Sequence, residues 1–270
     1  MSGWDIAAVG GFFALRTDGP GGQGGTAGTV GSRGTAVPGG TAGSGGTDTV
    51  PLADLYRGRT APLLRRVDTV AARLRTPERR VAASIAHLGL AARLWSIGLG
   101  AAALHGAVPD LSGLRWDPDA AAPDDLWLTA ADRTALDLAA PTDDPAALAA
   151  RLRAAVLDGH LTPLAAALRR DHRVSAALLR GNSASALAGA HRALRDWSRA
   201  NHRPEAARRA TAVAHALFAL PELRGTGTLR AGAFRRTSCC LYYRVPAGGL
   251  CGDCCLDHPP VRSSVRATGE

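Results

Sequence analysis

Apolar positions return at helical spacing along much of this chain. Regular periodicity begins near Leu52 and is strong from Ala61 to Leu74, where leucine, valine and alanine recur every three or four residues between arginines. Thr76-Pro77-Glu78 then has the form of a helix start: a hydroxyl to cap, proline at the first helical position and an acid in the first turn. The longest predicted helix runs from Pro77 to about Leu104. Asp144-Pro145 opens another to about Leu157, and Thr162-Pro163 one to about Arg170. Asn182-Ser183 caps a helix to about Ser198, and Pro204 starts one that runs to Leu220. Leu114-Arg115-Trp116 and the stretch from Asp125 to Thr129 are short strand candidates, and the chain after Pro221 is loop-rich. The expected fold class is α+β, predominantly helical, with a small mid-chain sheet and a loop-rich C-terminal segment.

The same pattern divides the chain. Residues 1–16 include a short apolar stretch, ending Gly10-Gly11-Phe12-Phe13-Ala14-Leu15-Arg16, that is expected to pack on the main domain. Residues 17–50 are rich in Gly, Thr, Ser, Ala and Pro and have too little apolar surface to offset their ordering entropy, so a disordered insertion is expected. Residues 51–221 form the mostly helical domain, and 222–270 a C-terminal segment with a flexible tail.

Composition supports the helical reading. Of 270 residues 46% are hydrophobic but only 4% aromatic, which suits Ala/Leu-rich helices better than a sandwich of strands. The net charge of +9 comes from arginine alone, since the chain has no lysine. No basic run is interleaved with aromatics, so a nucleic-acid partner is not expected. The most apolar stretch, Leu88 to Leu104, carries Arg93 and is followed by His105, as a core helix rather than a membrane span would. The N-terminus has no basic leader segment, and the expected location is the cytoplasm. A Walker lysine, a Ser-His-Asp spacing and a GxGxxG turn outside the Gly-rich insertion are all missing, which argues against a flavin or nicotinamide site.

All five cysteines fall within residues 239–255, in the run Arg235-Arg236-Thr237-Ser238-Cys239-Cys240-Leu241-Tyr242-Tyr243-Arg244, then Cys251-Gly252-Asp253-Cys254-Cys255. In a reducing compartment such a cluster points to metal or redox chemistry. Three chemistries compete for Cys239, Cys240, Cys251 and Cys254. A structural zinc favours two Cys-x2–4-Cys pairs; Cys251-Cys254 fits, but adjacent cysteines strain to close on one ion. A [2Fe–2S] cluster offers two irons and therefore two ligand positions, and takes four thiolates. A Cys-x-x-Cys thiol switch leaves Cys239 and Cys240 unused.

The run from Arg236 to Cys254, with its Cys-Cys-x10-Cys-x2-Cys spacing, resembles the C-terminal segment of the FhuF-like siderophore-iron reductases. The resemblance extends through Val81 to Ser96 and through Gly181 to Leu187, and departs at Cys255, where proline more often follows the last ligand. It implies a cytoplasmic [2Fe–2S] protein with Cys239, Cys240, Cys251 and Cys254 as ligands. The implied activity is one-electron reduction of siderophore-bound Fe(III), releasing Fe(II) for iron assimilation. The implied partners are a ferric siderophore and a separate electron donor, a ferredoxin or a flavin/NAD(P)H reductase, with transient association at the inner face of the membrane. The alternatives are a zinc-binding structural or interaction protein, and a [2Fe–2S] electron carrier or redox sensor without siderophore specificity.

Other residues have a functional and a plainer reading. His87 or Arg93 could line a substrate wall, but a buried polar contact or a solvated face is the simpler account. Asn182, with Ser183 and Ser185, could contact a ligand; a helix cap explains Asn182 without one. Trp95, Trp116, Trp127 and Trp197 are expected as core anchors. Tyr242 and Tyr243 are expected to shield the metal group. Arg235, Arg236 and Arg244 could raise its potential or dock an acidic donor.

Overall fold

A computed structural model describes residues 6–17, 49–128, 140–230, 232–246 and 248–260. Most of the Gly-rich insertion and the tail expected to be flexible lie outside the described residues.

The core is built around one helix. After the short α1 (Leu52–Tyr56) and the amphipathic α2 (Ala61–Arg73), the chain enters α3 (Arg79–His105). This helix is apolar on all sides rather than along one stripe, so its stable place is inside the protein. It packs most extensively against α6 (Ala176–Ala200), and also against α2 and α7 (Pro204–Ala219). By length and composition α3 could cross a membrane, but most of its apolar window is buried within the protein. Gly98 permits close packing: a Cβ there would stand 2.9 Å from Leu152 Cδ2 and 3.0 Å from Val156 Cγ2.

Arg93, mid-way along α3, is 1% exposed. Its Nε donates to Asp125 Oδ1 at 2.7 Å, and its remaining N–H groups donate to the carbonyls of Gly11 (3.1 Å), Phe12, Ala14 (2.6 Å) and Pro123 (3.3 Å). The plainer reading of Arg93 holds. It fastens the N-terminal segment, with buried Ile6 and Phe13, to the core.

Two helix starts need correction. α4 (Pro145–Leu152) is capped as expected, Asp144 Oδ1 accepting from Ala146 N at 2.9 Å. It then continues through a π-helical stretch, Arg153–Leu161, into α5 (Thr162–Asp171). Thr162-Pro163 therefore opens no new helix. A proline inside a helix lacks its N–H and crowds the carbonyl four residues back, and the π register accommodates it. Asn182 caps nothing either: α6 begins at Ala176 after Ser175, and Asn182 lies in its interior, fully buried.

The mid-chain strand pair is present, but the sheet is larger than expected. Its order is β1-β4-β3-β2, from Arg16–Thr17 (β1), Val50–Pro51 (β2), Arg115–Trp116 (β3) and Leu126–Leu128 (β4). β1 runs parallel to β4, and the other neighbours are antiparallel, with Arg115 opposite Trp127 and Val50 opposite Trp116. A second antiparallel pair, β5 (Gly227–Arg230) and β6 (Ala233–Arg236), follows α7 where only loop was expected. Of the four tryptophans expected as core anchors, Trp95 and Trp116 are core; Trp127 and Trp197 are half-buried. The fold class is predominantly helical α+β.

Candidate metal centre

The cysteine segment is delivered by the β5–β6 hairpin. Gly227 pairs with Arg236 at its open end, and Phe234 stacks on Phe218 of α7 with ring centroids 5.3 Å apart. The chain leaving β6 is then laid against α6. Thr237 N donates to Thr226 O at 2.9 Å, and Ser238 Oγ to Ala177 O at 3.3 Å. This approach depends on Gly181. A Cβ there would lie 2.2 Å from Ser238 Oγ and 2.9 Å from Arg236 Nη2, closer than packed atoms tolerate.

Cys239 and Cys240 differ in burial. Cys240 is 2% exposed and Cys239 half-buried. The Cys240 carbonyl accepts from Ser84 Oγ of α3 at 2.8 Å. Asn182 Nδ2 in turn donates to Ser84 O at 2.8 Å and Ser84 Oγ at 3.1 Å. The two upstream stretches that carry the resemblance, 81–96 and 181–187, thus meet at the backbone of Cys240. His87 is buried on the same helix with neither ring nitrogen bonded; burial first, then the charge of Arg236, lowers its pKa to about 3.

After Cys240 the chain turns at Leu241, which has φ 69°, into a single 3-10 turn, Tyr242–Arg244. Both tyrosines are half-buried beside the cysteines. Arg244 lies over the Tyr243 ring, 5.9 Å from its centroid, with its Nε 2.7 Å from Glu78 Oε1. A second turn, Cys254 N to Cys251 O at 3.1 Å, brings the last cysteines round. The two halves of the motif are joined where Arg236 N donates to Asp253 O at 3.0 Å. The buried Asp253 carboxylate accepts from Ser185 Oγ and sits 3.5 Å from Arg192 Nη1, both on α6.

The thiols lie close together. Cys240 and Cys251 share a hydrogen bond, and Cys239 feels the nearby thiols of Cys240, Cys255 and Cys254. The Cys251 hydrogen bond lowers Cys240 in spite of its burial, with help from the Tyr242 N–H and from Arg236. Cys251 keeps the shared proton and is pushed far up. Burial raises Cys239, opposed by a hydrogen bond from Leu241 N to its Sγ at 3.3 Å. Leu256 N likewise donates to Cys254 Sγ at 3.4 Å. Among the described residues no three His, Cys, Asp or Glu side chains close on a single ion-sized point. Clustered thiols whose sulfurs accept backbone N–H bonds fit a group held by four cysteine thiolates, as a [2Fe–2S] cluster is.

Residues 236–256 match the family model of the FhuF 2Fe-2S C-terminal domain. No curated protein matches the chain. Ser84 and Gly181 were hidden from residue-level reasoning, because only the packing of α3 on α6 brings them to the cysteines; Asn182, a candidate ligand contact from the sequence, bonds Ser84 instead. The zinc alternative gives way, and the segment from Arg236 to Leu256 is a FhuF-type [2Fe–2S] domain whose cofactor is a [2Fe–2S] cluster.

Proposed function

We propose that the protein is a cytoplasmic ferric-siderophore reductase, with Cys239, Cys240, Cys251 and Cys254 holding the cluster. The observation that supports this most is the FhuF-type cluster domain, seated on a helical body through Ser84, Asn182, Ser185 and Asp253. When bound, the cluster supplies electrons one at a time, which is what Fe(III) reduction requires. Hydroxamate-type oxygen donors hold Fe(III) far more tightly than the softer, less charged Fe(II), so one electron releases the metal.

The chain's own residues hold and screen the centre. Leu241 and Leu256 donate N–H bonds to sulfur, Cys240 is sealed against α3, and Cys239, Cys251 and Cys254 stay half-exposed on the outer side. That asymmetry leaves one side of the centre open to an electron donor and to the ferric siderophore. Tyr242 and Tyr243 border it. The donor is a separate ferredoxin or flavin/NAD(P)H reductase, met in the cytoplasm or at the inner membrane face.

Anaerobically purified protein should contain iron and acid-labile sulfide. Rapid mixing of dithionite-reduced protein with ferric hydroxamates should restore the oxidised visible spectrum as Fe(II) appears. Reduced protein that stays reduced against every ferric siderophore would leave an electron carrier or redox sensor, and sink the reductase.

A further inference from the structure

Among the described residues two arginines are buried, and they are partnered very differently. Arg93 has an aspartate and four carbonyls. Arg236, 3% exposed, has one side-chain hydrogen bond, from Nη2 to Leu178 O at 3.2 Å. Among the described residues its Nε and Nη1 have no partner, and it forms no ion pair. The nearby Asp253 offers only its carbonyl, to the Arg236 main-chain N–H; its carboxylate is committed to Ser185 and Arg192. His87, inside the same field, is neutral and supplies no negative charge. A buried cation without an anion is strongly unfavourable, so an anion belongs beside this guanidinium.

The backbone says which anion. Arg236 is three residues before Cys239, and its N–H bond to Asp253 O puts it beside the Cys251–Cys254 turn. Four thiolates around a [2Fe–2S] core carry net negative charge, which grows by one on reduction. We infer that Arg236 is the built-in counter-charge of the cluster, a positioning residue that stabilises the loaded protein and raises the cluster's reduction potential. Burial removes it from the surface, so it does not dock an electron donor. Arg235 is exposed and already paired with Asp257 at 2.7 Å, so it does not need the cluster as its anion. The inference rests on the cluster domain and not on siderophore reduction.

The test compares wild type, R236Q and R235Q as apo and cluster-loaded full-length chains. The readouts are midpoint potential, from dithionite titration followed by EPR and visible absorbance, and thermal unfolding. R236Q should have a lower midpoint potential and a smaller gain in melting temperature on loading, with an apo form at least as stable as wild-type apo protein. R235Q should match wild type in both. A potential and loading gain unchanged in R236Q would overturn the assignment. Should R236Q not fold, R236K keeps the charge and should keep a near-wild-type potential; a marked fall there overturns it equally. Iron and sulfide content separates the possible failures. A wild-type chain that takes up no cluster sinks the cluster reading too, whereas a loaded chain with an unresponsive R236Q sinks the counter-charge alone.

Discussion

Gly181→Ala should split the stability of the helix from the integrity of the metal centre. In a helix interior alanine is favoured over glycine by about 1 kcal/mol. At Gly189, on the same helix, the added methyl meets only Arg192 Nη2 at 4.0 Å, so G189A should realise that gain. At Gly181 the methyl would lie 2.2 Å from Ser238 Oγ, 2.9 Å from Arg236 Nη2 and 3.5 Å from Arg236 Nε. The Ser238 hydroxyl can rotate away by giving up its bond to Ala177 O. The buried Arg236 fork can move only by giving up its one side-chain bond, to Leu178 O, or by carrying the segment with Cys239 and Cys240 outward. Overpacking of this kind costs about 1–3 kcal/mol, which cancels or outweighs the helical gain and falls on the cysteines. Thermal unfolding, together with iron and sulfide per chain and visible circular dichroism, reads both effects. G181A should lose cluster content while G189A keeps it and melts higher. A G181A protein with full cluster content and the same rise in melting temperature as G189A would refute the close-approach argument.

Three further outcomes are expected. Cys251→Ser should abolish cluster assembly, since Cys251 is the thiol partner of buried Cys240, whereas Cys255→Ser should retain brown, sulfide-containing protein; an intact cluster in C251S breaks the ligand assignment. Arg93→Met should lose about 3–5 kcal/mol by stranding Asp125 in the core, measured by denaturant unfolding, and adding Asp125→Leu should recover part of it; a loss below 1 kcal/mol would contradict the buried tie. His87 has a pKa of about 3 when folded, below its ordinary value of 6.5, so below pH 6.5 the unfolded chain takes up a proton that the native one refuses. Stability should therefore fall as pH drops from about 6.5 toward 3, by up to about 1.4 kcal/mol per pH unit from this group. His191, lowered to about 4 mainly by burial, adds to the same limb. His87→Leu should flatten it; an unchanged acid slope in apo H87L would show that His87 is not buried neutral.

The amino-acid sequence by itself determined the predominantly helical fold, the mid-chain strand pair and the four-cysteine spacing. These are local signals: apolar period, proline and acid at helix starts, and residue types whose chemistry survives without context. It also located Arg236 next to the cysteines, but could not separate it from Arg235 and Arg244, because burial and ion pairing are properties of packing. Asn182 looked like a cap, since a short amide before a helical run reads that way; α6 passing over α3 turned it into a buried bond to Ser84. Thr162-Pro163 looked like a helix start, and a π-helical register that no propensity encodes absorbed it. The β5–β6 hairpin was missed because four-residue Gly- and Arg-rich strands carry almost no alternation. Only the tertiary structure brought residues from α3, α6 and the C-terminal loop to one place, and with them Arg236, a buried guanidinium without an ion pair among the described residues.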